Sequence, residues 1–371
     1  MKILHVVGAR PNFPKLAPVF RAARARDLEQ LVVHTGQHYD DAMSAAFFRD
    51  LGLPEPDLNL EVGSASHAVQ TARIMERMEP VLMEHRPDWV VVYGDVNSTV
   101  AAVLVAVKLG IRTAHVEAGL RSGDRRMPEE INRIVTDRLV DLLLTPSRDA
   151  NETLQLEGIP ESSVVFVGNV MIDSLHHALD QLRASGRLVT TPDDERPVAV
   201  TLHRPSNVDD PARLPAIMSA LVEIARSRRV IFPLHPRTRA ALREAGLDTG
   251  DVELREPMAY PDMLALVRDA HVVITDSGGL QEETTALGVP CLTVRENTER
   301  PITISEGTNR LAFDPATLPQ LVEQAVRSPH APRPEGWDGR AGERVVAALL
   351  NVHIPVDAVT PTSSQSAVPV G

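Results

Sequence analysis

The stretch His271-Val272-Val273-Ile274-Thr275-Asp276-Ser277-Gly278-Gly279-Leu280-Gln281-Glu282-Glu283 decides how this chain is read. Val272 to Thr275 is an unbroken β-branched run and predicts a buried parallel strand. Gln281 to Leu287 reads as a helix that stops at Gly288-Val289-Pro290. Strand, Ser-Gly-Gly turn and helix together make a phosphate cradle. The glycines let the backbone approach an anion, and the helix start offers unbonded N–H groups and partial positive charge. Glu282 and Glu283 fall in the first turns, where a carboxylate can accept hydrogen bonds from ribose hydroxyls. Phosphate plus ribose points to a nucleotide. An ordinary βα turn whose acids merely suit the helix dipole would carry the same residues.

The same punctuation runs outward in both directions. Upstream, strands read at Ile3–Val7, Leu31–Thr35, Trp89–Tyr93, Thr113–Glu117, Leu142–Thr145 and Val164–Val167, with helices such as Lys15–Ala25, Ala68–Glu84 and Val100–Lys108 between them. A polar, turn-rich segment, Ser185 to Pro197, interrupts the pattern. A second series follows at Val198–Thr201, Val230–Phe232, Val252–Leu254, Val272–Thr275 and Cys291–Val294. The expected class is α/β, with two Rossmann-like doubly wound domains facing a cleft. The expected division is 1–184, 185–354 and a disordered tail, 355–371, with the last helix packing back on the first domain.

Composition narrows the function. A net charge of −12 disfavours nucleic-acid and anionic-membrane partners, so an anionic ligand needs a local basic cluster. Aromatics at 3% leave too few rings for a stacking surface. The single cysteine, Cys291, rules out an internal disulfide and a cysteine-based zinc site. His34 and His38 lack a third ligand at suitable spacing, so no metal is expected. No apolar run reaches membrane-spanning length and no signal peptide precedes the first strand, which predicts a cytoplasmic protein.

The chemistry-bearing residues collect where predicted strands end. Arg10 and Lys15 follow the first strand in Gly8-Ala9-Arg10-Pro11, a turn that matches neither dinucleotide fingerprint nor P-loop. Asp95 closes the strand before Val96-Asn97-Ser98, and Glu117 closes the next. Neighbouring strands would then present both acids to one crevice and push their pKa values apart. His115 and Glu117 would share a strand face. Glu129 and Glu130 start a helix after the loop Gly119–Pro128, where the dipole alone could account for them. His203 and Arg204 follow a strand of the second series and can reach a phosphate or a proton. His235 has the same placement and weaker claims. Glu299-Arg300-Pro301 can bring a guanidinium to a phosphate.

Taken together, GARPNFPKLAPV, TGQHYD, YGDVNSTVAA, HVEAGLRSGDRRMPEEINR, GNVMID, TLHRP, TDSGGLQEE and RENTERP resemble the non-hydrolysing UDP-N-acetylglucosamine 2-epimerases. The resemblance runs from Lys2 to about Leu311. It implies a GT-B-like fold, a cytoplasmic homodimer, a UDP-N-acetylhexosamine substrate, and interconversion of UDP-GlcNAc and UDP-ManNAc without NAD or an obligatory metal. It also implies catalytic roles for Asp95, Glu117, Glu129 and His203. Arg10, Lys15, Ser277, Gly278, Gly279, Glu283 and Arg300 would bind substrate, the glycines at the pyrophosphate and Glu283 at the ribose. Three stretches depart from the family pattern. Asn12 replaces a common Glu, Pro205-Ser206-Asn207 replaces an acidic version, and Tyr39 to Ser44 lacks the glutamines some members use for an allosteric substrate. Regulation and the exact sugar are therefore open, and Arg125 and Arg126 could meet the carboxylate of a uronic-acid sugar. A GT-B glycosyltransferase would need an acceptor and gives no reason for an Asp95–Glu117–Glu129 cluster. A noncatalytic nucleotide-sugar sensor would tolerate carboxamides there.

Overall fold

The computed structural model describes residues 1–37, 51–188, 190–327 and 333–351, apart from the Arg10 side chain. His38, the 39–44 segment and the 355–371 tail lie outside the described residues. Strands β1 (Lys2–Val7), β2 (Glu29–His34), β3 (Leu58–Asn59), β4 (Trp89–Tyr93), β5 (Arg112–Val116), β6 (Leu142–Thr145) and β7 (Val164–Phe166) form one parallel sheet in the order β3-β2-β1-β4-β5-β6-β7. A second parallel sheet has the order β10-β9-β8-β11-β12-β13. Its strands are β8 (Val198–Thr201), β9 (Val230–Pro233), β10 (Glu253–Arg255), β11 (Val272–Thr275), β12 (Cys291–Thr293) and β13 (Asn309–Leu311). Helices cover both faces of each sheet, which is why the central strands are apolar throughout. Two Rossmann-like α/β units result.

In each sheet the strand order reverses once at the centre, between β1 and β4 and between β8 and β11. The loops that leave these strands diverge to opposite faces and open a crevice at their C-terminal ends. Lys15 and Asp95 follow β1 and β4, while His203 and Asp276 follow β8 and β11. Register brings the second pair together, because Thr201 lies beside Thr275.

Two helices join the units. Val170–Ala184 puts Ile172, Leu175, Leu179 and Leu182 into a cluster with Leu264, Ala286 and Ile302 of the second unit. Ala341–Leu349 returns to the first unit and adds Val345, Val346 and Leu349 to the core around Phe13 and Leu16. Asp173 caps it, accepting from the amides of Ala341 at 3.1 Å and Gly342 at 2.7 Å. Burial raises the Asp173 carboxyl to about 7, against the pull of those two amides. Among the described residues no helix is long and apolar enough to cross a membrane.

Many boundaries differ from expectation by one to three residues, and some differences go further. The edge strands β3 and β13 are additional; they have two and three residues, too short to show alternation. The third strand of the second series sits at Glu253–Arg255, one residue later. β5 stops at Val116, and the helix expected from Gln281 begins at Gly278. The last two differences shape the site.

Candidate active site

Glu117 does not continue β5. Its φ is 76°, in the left-handed region that a residue with a Cβ seldom occupies. Strand alternation therefore does not place it beside His115, and that expectation is corrected. His115 is buried instead between Asp137 at 2.6 Å and the Gly94 carbonyl at 2.8 Å. The turn at Glu117 directs its carboxylate towards Lys15, with which it forms an ion pair. Lys15 passes over Gly94, where a Cβ would stand 2.7 Å from its Nζ. Gly94 is what lets this lysine reach the acid.

Arg300, on the loop after β12, crosses from the second unit. It bonds Glu117, and its Nε donates to Glu282 at 2.7 Å. Glu282 also accepts from Asn169 at 2.9 Å. Asp95 is paired with Arg133, which donates through its other nitrogen to Glu130 at 2.8 Å. Glu130 holds the Gly119–Pro128 loop by accepting from the amides of Ser122 and Gly123, both at 2.9 Å. Its role is structural, whereas half-buried Glu129 acts electrostatically on Arg204 across the cleft.

The two acids do not push their pKa values apart as expected. Burial alone would raise both. For Asp95 the charges of Arg133 and Lys15 outweigh it, and for Glu117 those of Lys15 and Arg300 do, so both lie below the usual carboxylate range. The cleft carboxyls pushed upward belong to the other unit. Burial raises Glu282 despite Arg300, with Glu117 adding repulsion. Burial also raises Glu283 to about 7 against a hydrogen bond of 3.0 Å from the Tyr260 hydroxyl.

On the second sheet's edge, the helix Gly278–Leu287 follows Ser277 directly. The glycines are thus the first helical turn itself, with their N–H groups unclaimed by the helix. A Cβ at Gly279 would meet nothing within 4 Å. His203 is held through Nδ1 at 3.0 Å from Asp276, which is fully buried and also accepts from the amide of Arg204 at 2.9 Å and from Asn207 at 3.1 Å. His235 packs with its ring 5.9 Å from that of His203 and caps its own helix.

Beside this edge lies a cavity of about 780 Å³, lined from the first unit by Met127 and from the second by Arg204, Arg213 and Arg295. One guanidinium nitrogen of Arg295, Nη1, is buried there with no hydrogen-bond acceptor among the described residues. Burial lowers the pKa of Arg204, which Glu299 offsets from 3.7 Å. The Arg295 nitrogen is thus a buried donor that an anionic ligand could satisfy.

The structure thus brings together Lys15, Asp95, Glu117 and Arg300, and sets His203 and the Gly278–Gly279 turn on the facing edge. Arg10 contributes no describable side chain. Sequence reasoning missed Arg133, Asp276 and Asn169, and it offered Glu282 beside Glu283 as a ribose acceptor, whereas Glu282 is bonded to Arg300. All four stood inside the quoted motifs, but only their partners reveal what they do. Asn12, the departure from the family pattern, ties the first turn down: it accepts from Gly8 and Ala9 at 3.1 Å and donates to the Tyr93 carbonyl at 2.8 Å. A glutamate could not make the last bond.

Known proteins resemble this chain over nearly its whole length. The UDP-N-acetylglucosamine 2-epimerase of Methanocaldococcus jannaschii is 40% identical over 94% of this chain and 99% of its own. The crystal structure of that organism's UDP-GlcNAc 2-epimerase in complex with UDP-GlcNAc and UDP matches with a TM-score of 0.83 at 39% identity, covering 95% of this chain and 100% of the other. The UDP-2,3-diacetamido-2,3-dideoxy-D-glucuronate 2-epimerase of Pseudomonas aeruginosa is 42% identical over 88% of this chain and 92% of its own. Residues 21–350 match the model of the UDP-N-acetylglucosamine 2-epimerase family. With two GT-B-like α/β units and a buried acid–base cluster between them, this chain is an isomerase and belongs to the UDP-N-acetylglucosamine 2-epimerase family.

Proposed function

We propose that this enzyme interconverts UDP-N-acetylglucosamine and UDP-N-acetylmannosamine by eliminating UDP to 2-acetamidoglucal and adding it back. The observation that carries this reading is the pair Asp95 and Glu117, held below the usual carboxylate range by Lys15, Arg133 and Arg300 opposite a free helix N-terminus. The C2 proton of a neutral sugar is not acidic. When the C1–O bond breaks and its electron pair leaves with UDP, positive charge builds at C1 and acidifies the neighbouring C2–H. An ionised carboxylate takes that proton while the C1–C2 double bond forms. Return requires a proton on the opposite face of C2, hence a second acid. In this proposal Asp95, Glu117 and Glu129 divide the two proton transfers and the stabilisation of charge at C1.

The amides of Gly278 and Gly279 and the hydroxyl of Ser277 would cradle the pyrophosphate, with Arg10 at its other side. Glu283 would hold the ribose. Arg300 would turn from Glu117 to the phosphates as negative charge develops there. Losing that partner raises the Glu117 pKa and makes it a stronger base when the substrate is in place. His203, oriented by Asp276, would support the departing diphosphate. The division at 184/185 would serve as the hinge along which the units close and retain the glucal. We place the enzyme in the cytoplasm as a homodimer supplying activated sugars for polysaccharide synthesis.

A second reading has its own observation: Arg126, Arg204, Arg213 and Arg295 line one cavity beside His203 and could receive a uronic-acid carboxylate. The test is proton NMR of the protein with UDP-GlcNAc in D₂O. UDP-ManNAc with deuterium at C2 in both epimers is the expected result. Epimer that retains C2 protium would contradict the elimination route. No change with UDP-GlcNAc, but turnover of the uronic-acid analogue, would replace the first reading by the second. Inertness towards both, with UDP still bound, would favour a sensor.

A further inference from the structure

Away from the cleft, the helix Val170–Ala184, the end of the helix Tyr260–Asp269 and the 190–196 segment enclose a cavity of about 510 Å³. Its cationic lining is Arg183, Arg196, Arg268, Arg327 and Arg333, and its only carboxylates among the described residues are Asp180 and Asp269. Both acids are already engaged. Asp180 pairs with Arg183 at 2.8 Å, and Asp269 accepts from the Thr191 amide at 3.1 Å and from its hydroxyl.

Arg327 donates to the carbonyls of Arg268 at 2.9 Å and Ala270 at 2.6 Å, and no carboxylate of the described residues lies within ion-pair distance of it. Burial lowers its pKa and the like charge of Arg196 lowers it further, against the opposite pull of Asp269 and Asp193. His176, on the same wall, is lowered by burial and then by Arg333. The five residues between Arg327 and Arg333 contain no acid. Arg196 pairs with Asp193 at 3.0 Å, so five guanidiniums face three carboxylates, and a chain of net charge −12 has kept an excess of positive charge around one concavity.

We propose that this cavity is a second anion site, which takes a phosphate-bearing small molecule on its guanidinium groups. Guanidinium donors match phosphate oxygens in pairs, and the volume falls in the range of small-molecule pockets rather than of a single trapped ion. Arg196 lies on the stretch that leads into β8, and Arg327 and Arg333 flank the return to the helix Ala341–Leu349, so an anion bound to them would touch both. Ala286 and Leu287 on the wall end the helix that begins at Gly278, which connects this site physically to the cleft.

The test is calorimetric titration of the full chain, saturated with UDP to fill the cleft, using inorganic phosphate, pyrophosphate and ribose 5-phosphate in parallel. Saturable binding of one equivalent, weakening with added salt, is expected for at least one of them. Preference among the three separates a site for free phosphate from one for a phosphorylated metabolite. The double variant Arg183→Ala/Arg333→Ala removes two exposed guanidiniums and should weaken binding by roughly tenfold or more while leaving the melting temperature unchanged. Arg268→Gln should weaken it also. Absence of saturable binding, or binding that the double variant leaves intact, would overturn the proposal. Failure of UDP itself to bind would count against the proposed function, and the cavity would then be titrated without it.

Discussion

At the first sheet's edge, Asp95 and Glu117 sit among Lys15, Arg133 and Arg300. At the second, among the described residues, Glu282 has one guanidinium and Glu283 only the hydroxyl of Tyr260. Glu117, Glu282 and Glu283 are all buried, with 9%, 2% and 5% of their surface exposed. Their pKa values nevertheless move in opposite directions. Desolvation acts on every one of these acids, so burial cannot explain the contrast. The number of cations in direct contact does, two for Glu117, one for Glu282 and none among the described residues for Glu283, and it leaves ionised groups on one side of the cleft and a carboxyl that titrates near 7 on the other.

The strongest way to break this contrast is to remove charge from the ionised side. Glu117→Gln should lower turnover by about 10³-fold while UDP still binds, because the change removes a proton acceptor and leaves the second sheet's cradle intact. Full turnover would remove Glu117 from the chemistry. Next comes the shared cation. Arg300→Met leaves Glu117 and Glu282 buried with less compensation and should cost about 3–5 kcal/mol of stability. Thermal denaturation would show a melting temperature lower by roughly 10 °C. An unchanged melting temperature would mean that Arg300 does not bind the two sides together.

Asp276→Asn tests the facing edge. It should reduce kcat on the order of tenfold to a hundredfold with little change in KM, since it disturbs the orientation of His203 rather than contact with UDP. A loss confined to KM would contradict a positioning role. The smallest effect is in stability against pH. Glu283 has a folded pKa near 7, above the usual value of 4.5, so between these values the folded state holds more protons than the unfolded state. Stability should therefore fall as pH rises from about 4.5 to about 7 and level off above. Asp173, raised for the same reason, contributes with the same sign, so Glu283→Gln should make the slope shallower without abolishing it. An identical slope in the variant would show that Glu283 ionises normally.

Much of the architecture is legible in the sequence because a parallel strand buried on both faces must be a continuous apolar run. Val90 to Val92 and Val272 to Ile274 announce themselves in this way. The two-residue β3 and three-residue β13 lie at sheet edges and carry no such run. Asp95, Glu117, His203 and the glycine turn are legible as ends of strands. The left-handed backbone at Glu117 is not, because nothing in a glutamate signals it. Nor are the charge states legible. Arg300 lies 183 residues from Glu117 in the chain, and only folding places its guanidinium on that carboxylate. Two acids read alone suggest mutual repulsion, whereas two acids with three cations among them are both stabilised as anions.

The most direct measurement is a ¹³C NMR titration of the glutamate side-chain carboxyls in the ligand-free protein, with resonances assigned by Glu117→Gln and Glu283→Gln. The account predicts that the signal lost in Glu117→Gln titrates below the usual glutamate value, and that the signal lost in Glu283→Gln titrates near pH 7. If Glu117 titrates near neutrality while Glu283 stays ionised, the roles assigned to the two edges of the cleft are reversed and the account fails.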